Sequence, residues 1–342
     1  MSRWMALCLV LTAGCTKDEP TDGVHTDDPT TTTTTVPTSS TVSTTSTGET
    51  GTTHTGDTGT TVTGEVVDCA ALSASPLSAQ ILAGPRAHHG LAFDDLGNLL
   101  GTRNNDILAW DSFGGQAVYS PGFGYSEQFD MAPDGNLYVA AGNAIRQVAP
   151  SGAYVNVGTG ISAYGLKVGP DGMIYAADNN QIFRVDPVAQ TQQVYLPSGG
   201  GRSPRVMDWS PDGTKFYFAE LNGGRVFYMD LDSNYDPIGA PTVLANIGGS
   251  YHDGIAVDVC GNLYVAVYSA SAMYRITPAG QVSTFTDTPL QNYGHGVQFG
   301  SGVGGWRADA LYVPQPYNGD TVAEMVIGVY HRTWGGTVVN AP

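Results

Sequence analysis

Short apolar runs alternate with tight polar turns along most of this chain, at a spacing of about forty residues. Six segments align on one such turn. They are His89-Gly-Leu-Ala-Phe-Asp-Asp-Leu-Gly-Asn-Leu-Leu, Gln128-Phe-Asp-Met-Ala-Pro-Asp-Gly-Asn-Leu-Tyr-Val and Tyr164-Gly-Leu-Lys-Val-Gly-Pro-Asp-Gly-Met-Ile-Tyr. Arg205-Val-Met-Asp-Trp-Ser-Pro-Asp-Gly-Thr-Lys-Phe-Tyr and Asp253-Gly-Ile-Ala-Val-Asp-Val-Cys-Gly-Asn-Leu-Tyr-Val follow, then His295-Gly-Val-Gln-Phe, which reaches Ala310-Leu-Tyr-Val after an insertion. In each, an apolar strand runs into Pro-Asp-Gly or a variant of it. Proline and aspartate start the turn, and glycine takes the positive φ that closes it. A second strand returns with alternating large residues, as in Asn262-Leu-Tyr-Val-Ala-Val-Tyr. Ala272-Met-Tyr-Arg-Ile-Thr and Gln281-Val-Ser-Thr-Phe-Thr continue the pattern as third and fourth strands. No stretch carries a helical period. Four antiparallel strands repeated six times predict an all-β chain folded as a six-bladed β-propeller, which leaves few open sheet edges. The outermost strand of the sixth blade is expected from Thr337–Asn340 or from Gln80–Ala83.

The pattern is absent from the N-terminal part. From Thr16 to about Glu65 the chain is almost all Thr, Ser, Gly, Asp and Pro, including the run Thr30–Thr35. Such a segment cannot bury enough apolar surface to offset the entropy of folding, so a disordered linker is expected, with His25 and His54 simply solvated. Before it, Arg3 precedes a short apolar run that ends in Leu11-Thr12-Ala13-Gly14-Cys15. That is the plan of a secretory signal, too short for a mature membrane span. Small residues directly before Cys15 resemble a bacterial lipoprotein signal, which implies acylation of Cys15; an ordinary signal peptide cut nearby is the alternative. The expected division is a signal over 1–14, a lipidated Cys15 and linker over 15–66, and the propeller over 67–342. The implied location is the cell envelope outside the cytoplasm, on the outer membrane or cell surface, with the membrane reached through the lipid.

Charge and cysteines narrow the partners. A formal net charge of −17 argues against nucleic acid and against anionic lipid heads. A monomer with a small-molecule or surface ligand is expected. Cys8 belongs to the signal and Cys15 to the lipid. Cys69 and Cys260 remain as an even pair in an oxidising compartment, which predicts a disulfide, with two buried free thiols as the alternative.

The candidate chemistry lies just ahead of each innermost strand, at one rim of the central channel. That position stands eight residues before the turn glycine in the first five repeats and follows the His-Gly match in the sixth. Its occupants are His89, Glu127, Tyr164, Arg205, Asp253 and His295, all polar or ionisable. Of the five histidines in the domain, His88, His89, His252 and His295 fall at this position or one residue before it; His331 does not. Blade order makes Asp253, His295, His89 and Glu127 contiguous around the ring, with Tyr164 and Arg205 opposite. Two imidazoles flanked by two carboxylates are a candidate metal site with open coordination positions. A metal-free polar pocket and a hydrogen-bonded plug are the other readings. Asp134, Asp171 and Asp212 are read as turn formers, as are Asp178, Asn179 and Asn180. His88 and His252 are read as pointing away from the channel.

The repeats resemble the superfamily of senescence-marker-protein-30/gluconolactonase, strictosidine-synthase-like and NHL-repeat propellers. The resemblance rests chiefly on the Asp253–Ala266 and Trp209–Tyr217 stretches and covers about residues 85–330. It implies a divalent ion, often calcium, held by a glutamate, an asparagine and an aspartate at blade starts, the aspartate doubling as base. Asp253 matches that aspartate, whereas His89 and Arg205 stand at the other two positions. Imidazole ligands favour zinc or another transition metal over calcium. Arg205 would repel a close metal and could instead pair with Asp253 or bind an anionic group. The implied activity is hydrolysis or lyase chemistry on a small ester or lactone. In it His89, Glu127, Asp253 and His295 serve as metal ligands, Asp253 as base, Arg205 as anion or oxyanion stabiliser, and Tyr164 as hydrogen-bond donor. The alternative is a non-catalytic extracellular binding propeller, in which loop aromatics such as Trp306 and Tyr317 matter more than the channel. No nucleophile elbow, phosphate loop or zinc-finger spacing is present in the sequence.

Overall fold

A computed structural model describes residues 67–72, 77–286 and 294–331. The expected signal, Cys15, the linker and Thr337–Asn340 lie outside these residues. Six four-stranded antiparallel sheets form the six blades. From the inside outward, blade one is Leu91–Phe93, Leu99–Arg103, Asp106–Trp110 and Gln116–Ser120. Blade two is Phe129–Met131, Leu137–Ala141, Ala144–Val148 and Tyr154–Thr159, and blade three is Gly165–Val168, Ile174–Ala177, Ile182–Asp186 and Thr191–Leu196. Blade four is Pro204–Trp209, Lys215–Glu220, Arg225–Leu231 and Pro237–Asn246. Blade five is His252–Val257, Leu263–Val267, Ala272–Ile276 and Val282–Thr284. Blade six takes Gln298–Phe299, Ala310–Gln315 and Thr321–Val326 from the C-terminal side and its outer strand, Gln80–Arg86, from the N-terminal side. Of the two closing strands expected from sequence, the N-terminal one is therefore in place. It pairs with Thr321–Val326 across a register break between Ile81 and Arg86. One 3-10 turn, Tyr268–Ala270, is the sole helical element among the described residues.

The core is divided into six apolar clusters, one at each blade-to-blade interface. The second strand of blade five shows why. Side chains alternate faces along a strand, so a strand buried on both sides reads as continuously apolar. Leu263, Val265 and Val267 pack toward blade four, while Tyr264 and Ala266 pack toward blade six. Leu137, Val139 and Ala141 divide from Tyr138 and Ala140 in the same way between blades one and three.

The turn aspartates hold the hairpins. The Asp134 carboxylate accepts the backbone N–H of Asn136, and that of Asp171 accepts Met173 N–H and the Tyr175 hydroxyl. Asp212 accepts Thr214 N–H and the Ser210 hydroxyl. Cys69 and Cys260 are joined as a disulfide with Cα atoms 5.6 Å apart. Beside it, Val67, Leu72 and Leu77 lie on the blade five–six cluster, and Leu77 N–H donates to Phe285 O. The N-terminal segment thus crosses from blade five to blade six before leading into His89.

At the rim, the inner strands of neighbouring blades press together through glycines that follow the rim residue. A Cβ on Gly165 would lie 1.9 Å from the carbonyl oxygen of Arg205 in blade four, and one on Gly254 would lie 2.4 Å from the Gly296 carbonyl carbon in blade six. Backbone cannot yield there as a side-chain tip can. Gly165→Ala is expected to lower stability by at least about 1–3 kcal/mol, the cost of overpacking a close-packed site. Thermal melting checks this, and an unchanged midpoint would mean that blades three and four do not approach so closely in solution.

Candidate functional site

All six rim residues open onto one cavity of about 510 Å³ at the mouth of the channel. Each sits where a connection between blades ends and an inner strand begins, so the fold delivers six side chains to one place from widely separated parts of the chain. Burial there is deep: His89, Tyr164, Arg205 and His295 are each under 9 % exposed, and Asp253 is 0 % exposed.

The side chains form two linked groups. In the first, Arg205 Nε donates to Asp253 Oδ1, and the guanidinium carbon stacks 3.4 Å above the centre of the Tyr164 ring. Arg205 Nη1 lies 3.4 Å from Asn179 Oδ1. The second group is a pair of imidazoles, His89 and His295, stacked with centroids 4.5 Å apart and planes 16° from parallel. His89 Nδ1 is 2.5 Å from Glu127 Oε2. A carboxylate can only accept, so Nδ1 carries the hydrogen and Nε2 keeps a lone pair. His295 Nδ1 joins the groups, 3.0 Å from the Tyr164 hydroxyl oxygen and 3.2 Å from Asp253 Oδ2. His295 Nε2 is buried without a hydrogen-bond partner.

Burial governs the protonation states. It pushes His295 down to about 2, helped by the neighbouring His89 and Arg205, so this imidazole is neutral at any ordinary pH. Burial also lowers His89, while Glu127 pulls the other way. Asp253 is driven up to about 7 by burial, against the pull of Arg205. The Tyr164 phenol is raised well above its usual range by burial and by the charge of Asp253, and it stays a donor.

A family model described as the SMP-30/gluconolactonase/LRE-like region matches residues 131–313. The chain belongs to this family. The match covers the turn-and-strand repeats of blades two to six, including the rim residues from Tyr164 to His295. A gluconolactonase from Xanthomonas campestris superposes with a TM-score of 0.61 at 16% identity, over 73% of this chain and 90% of its own. The calcium-binding protein regucalcin from Agrobacterium tumefaciens gives 0.61 at 16%, over 75% and 96%. A catalytically inactive histidine-to-alanine variant of virginiamycin B lyase from Staphylococcus aureus, bound to quinupristin, gives 0.53 at 17%, over 73% and 99%. At these identities the likeness speaks to the fold. No curated protein sequence matches this chain.

Within this SMP-30/gluconolactonase-like propeller, the four residues expected as metal ligands share the cavity but do not aim their donor atoms at a common point. His89 Nδ1 is taken by Glu127, and Asp253 Oδ1 by Arg205. Among the described residues, no three His, Cys, Asp or Glu side chains are placed to hold an ion together. A guanidinium stands among the carboxylates instead. The donor set as arranged does not fit a divalent cation.

Two of the neighbouring histidines face elsewhere. His88 turns to Asp320, its Nδ1 3.1 Å from Oδ1, and His252 Nε2 lies 3.1 Å from the carbonyl oxygen of Gly248. Trp306, read from sequence as a loop aromatic, is buried against Phe93 and Tyr312 with its indole N–H donating to Gly97 O. Tyr317 does line the cavity, and so do Tyr125, Tyr251, Tyr268 and Asn179. Asn179 makes a turn, at φ 68°, and also reaches Arg205. A signal for two of the tyrosines was present: Tyr125 and Tyr251 each stand two residues before a rim position. Tyr251 holds φ 57°, a left-handed conformation rare for a bulky side chain.

The depressed basicity of His295 has a direct readout. Its ring nitrogens should keep the 15N shifts of a neutral imidazole from pH 4 to pH 8, whatever smaller shift the nearby Asp253 causes. Conversion to imidazolium shifts below pH 6.5 would mean that the buried ring is open to water.

Proposed function

We propose that this chain is a lactone- or ester-opening enzyme of the gluconolactonase type, in which His89 is the general base. The observation that carries the reading is the Glu127–His89 pair, a carboxylate-backed imidazole with a free Nε2 lone pair inside a cavity beside a buried guanidinium. Such a pair removes a proton from water as the oxygen attacks a carbonyl carbon. Arg205 and Tyr164 supply a cationic, donor-rich wall for the oxygen that becomes negative. Collapse of the tetrahedral intermediate breaks the ester C–O bond, and the proton on His89 Nε2 passes to the departing alkoxide. The product is a hydroxy acid from a lactone, or an acid and an alcohol from an open ester. Asp253, 0 % exposed and held by Arg205, is assigned to positioning that guanidinium rather than to the base role. The family match and the gluconolactonase neighbour support the substrate class. The inactive histidine variant of virginiamycin B lyase supports a working histidine on a related scaffold.

A binding role is the second reading, favoured by the half-exposed rings of Tyr125, Tyr251 and Tyr317 around the mouth. Flat, hydroxylated rings capture a ligand without reacting with it. Turnover of a panel of sugar and aliphatic lactones and simple esters separates the two. His89→Ala should reduce kcat/KM by about 10²–10⁴-fold, the usual contribution of a general base, with melting unchanged. Equal turnover in wild type and variant would remove His89 from the chemistry.

The same reading places the propeller on a membrane surface through an acylated Cys15, with the threonine-rich segment as spacer. Cys15→Ser should abolish incorporation of a labelled fatty acid and shift the protein from the membrane to the soluble fraction. Labelling that survives the substitution would rule out this anchor.

A further inference from the structure

We infer that the guanidinium of Arg205 is the resident cation of the cavity and carries the charge-stabilising role there, so that the site works without a divalent ion. The inference rests on the hydrolase reading for its chemistry and on the arrangement around Arg205 for its electrostatics.

Four features lead to it. First, Arg205 is gripped by other blades: Asp253 of blade five takes Nε, Asn179 of blade three meets Nη1, and Tyr164 of blade three lies flat beneath the plane. A planar fork fixed in this way is pre-organised, as a flexible ammonium is not. Second, the guanidinium sits among the candidate ligands themselves: it holds Asp253 directly and shares the cavity with Glu127, His89 and His295. A dication entering the cavity would meet this buried positive charge and repel it. Third, Nε and Nη1 have protein partners while Nη2 makes no hydrogen bond to the protein among the described residues, and Arg205 lines the cavity. Both N–H donors of Nη2 are thus left for an oxygen of the ligand. Fourth, a protein of the same fold is known as calcium-binding; in this cavity a side chain, Arg205, already carries a positive charge.

The chemistry is balanced without any added group. As water adds to the carbonyl, the electron pair that moves onto oxygen is met by an Arg205 Nη2 hydrogen. The same pair returns as the ester C–O bond breaks, and the guanidinium neither gains nor loses a proton.

The experiment compares wild type and Arg205→Asn after exhaustive dialysis against chelator, with and without added calcium, magnesium or zinc. Metal content, melting temperature and lactone or ester turnover are read for each. The asparagine removes the charge and leaves an amide oxygen that can face a cation. Wild type is expected to be ion-free, to melt at the same temperature with or without the ions, and to retain its turnover in chelator. Arg205→Asn is expected to lose at least 100-fold in kcat/KM in chelator and to gain a saturable, calcium-dependent rise in melting temperature, because two carboxylates have lost their counter-charge. Stoichiometric metal in dialysed wild type, or turnover abolished by chelator and restored by an ion, overturns the inference. Should Arg205→Asn not fold, the wild-type metal content and melting still decide. A wild type that turns over nothing in either buffer overturns the hydrolase reading, and its ion content and melting then judge the resident-cation claim separately.

Discussion

The close approach of the inner strands at the rim is the constraint from which the rest of the structure follows. A propeller mouth only wide enough for a small molecule requires neighbouring blades to touch backbone to backbone where their inner strands begin. Gly165 against Arg205 O and Gly254 against Gly296 make that contact possible, since a single methyl group at either would collide with main-chain atoms. The ring is also stitched by hydrogen bonds between successive blades, from Gly296 N–H to Asp253 O and from Gln128 N–H to Tyr164 O. With the backbones so close, the residue ahead of each glycine has little choice but to project over the channel. This explains how Tyr164 reaches His295 across a gap of 131 residues, and how Asp253, ahead of Gly254, is brought to Arg205, 48 residues earlier.

That geometry sets the electrostatics. Side chains crowded into a narrow mouth lose water, and each ionisable group then depends on its neighbours for its charge state. Arg205 keeps its charge because Asp253 and Tyr164 enclose it. Burial pushes both imidazoles toward the neutral form, although Glu127 stands beside His89 and Asp253 beside His295. Three polar groups of different character thus line one cavity: the imidazole of His89, the guanidinium of Arg205 and the phenol of Tyr164. Acyl chemistry uses such a set, a base on one side of a carbonyl and donors on the other.

Much of this was readable from the sequence, for a definite reason. The turn glycines at Gly97, Gly135, Gly172, Gly213 and Gly261 set the register of the first five blades, and counting back eight residues from each finds a residue lining the cavity. The spacing works because a strand of fixed rise links the turn at one end of the channel to the rim at the other. The Cys69–Cys260 pairing was legible from the even pair left once Cys8 and Cys15 were set aside as expected signal and lipid residues. The choice of closing strand was not, since Gln80–Ala83 carries only a weak alternation and its partner is more than two hundred residues away. Of the tyrosines around the mouth, Tyr317 was singled out only as a loop aromatic and Tyr125 and Tyr251 share an offset that only some blades repeat, while Tyr268 lies on a 3-10 turn with no counterpart in another blade among the described residues. His88 could be told from His89 because adjacent residues on an extended chain point to opposite sides, so it faces Asp320 while His89 faces the cavity.

The opposite end of the channel shows why chemistry belongs at one mouth and not the other. There Lys167 lies 3.8 Å from both Asp130 and Asp208, and His331 Nε2 is 3.8 Å from Asp208. Each of those aspartates also reaches into the next blade, Asp130 accepting Val168 N–H and Asp208 accepting Val257 N–H. These carboxylates are engaged in holding inner strand to inner strand, and Lys167 neutralises them where they come closest. A cavity of about 380 Å³ adjoins them, but its charged groups are committed to the frame. At the rim the same blade-to-blade logic holds Asp253 to Arg205, yet His89 Nε2 and Arg205 Nη2 are left over, as are the buried His295 Nε2 and Asp253 Oδ2. The two ends differ less in composition than in whether their donors and acceptors are already satisfied by the fold, and it is the unsatisfied end that can act on something else.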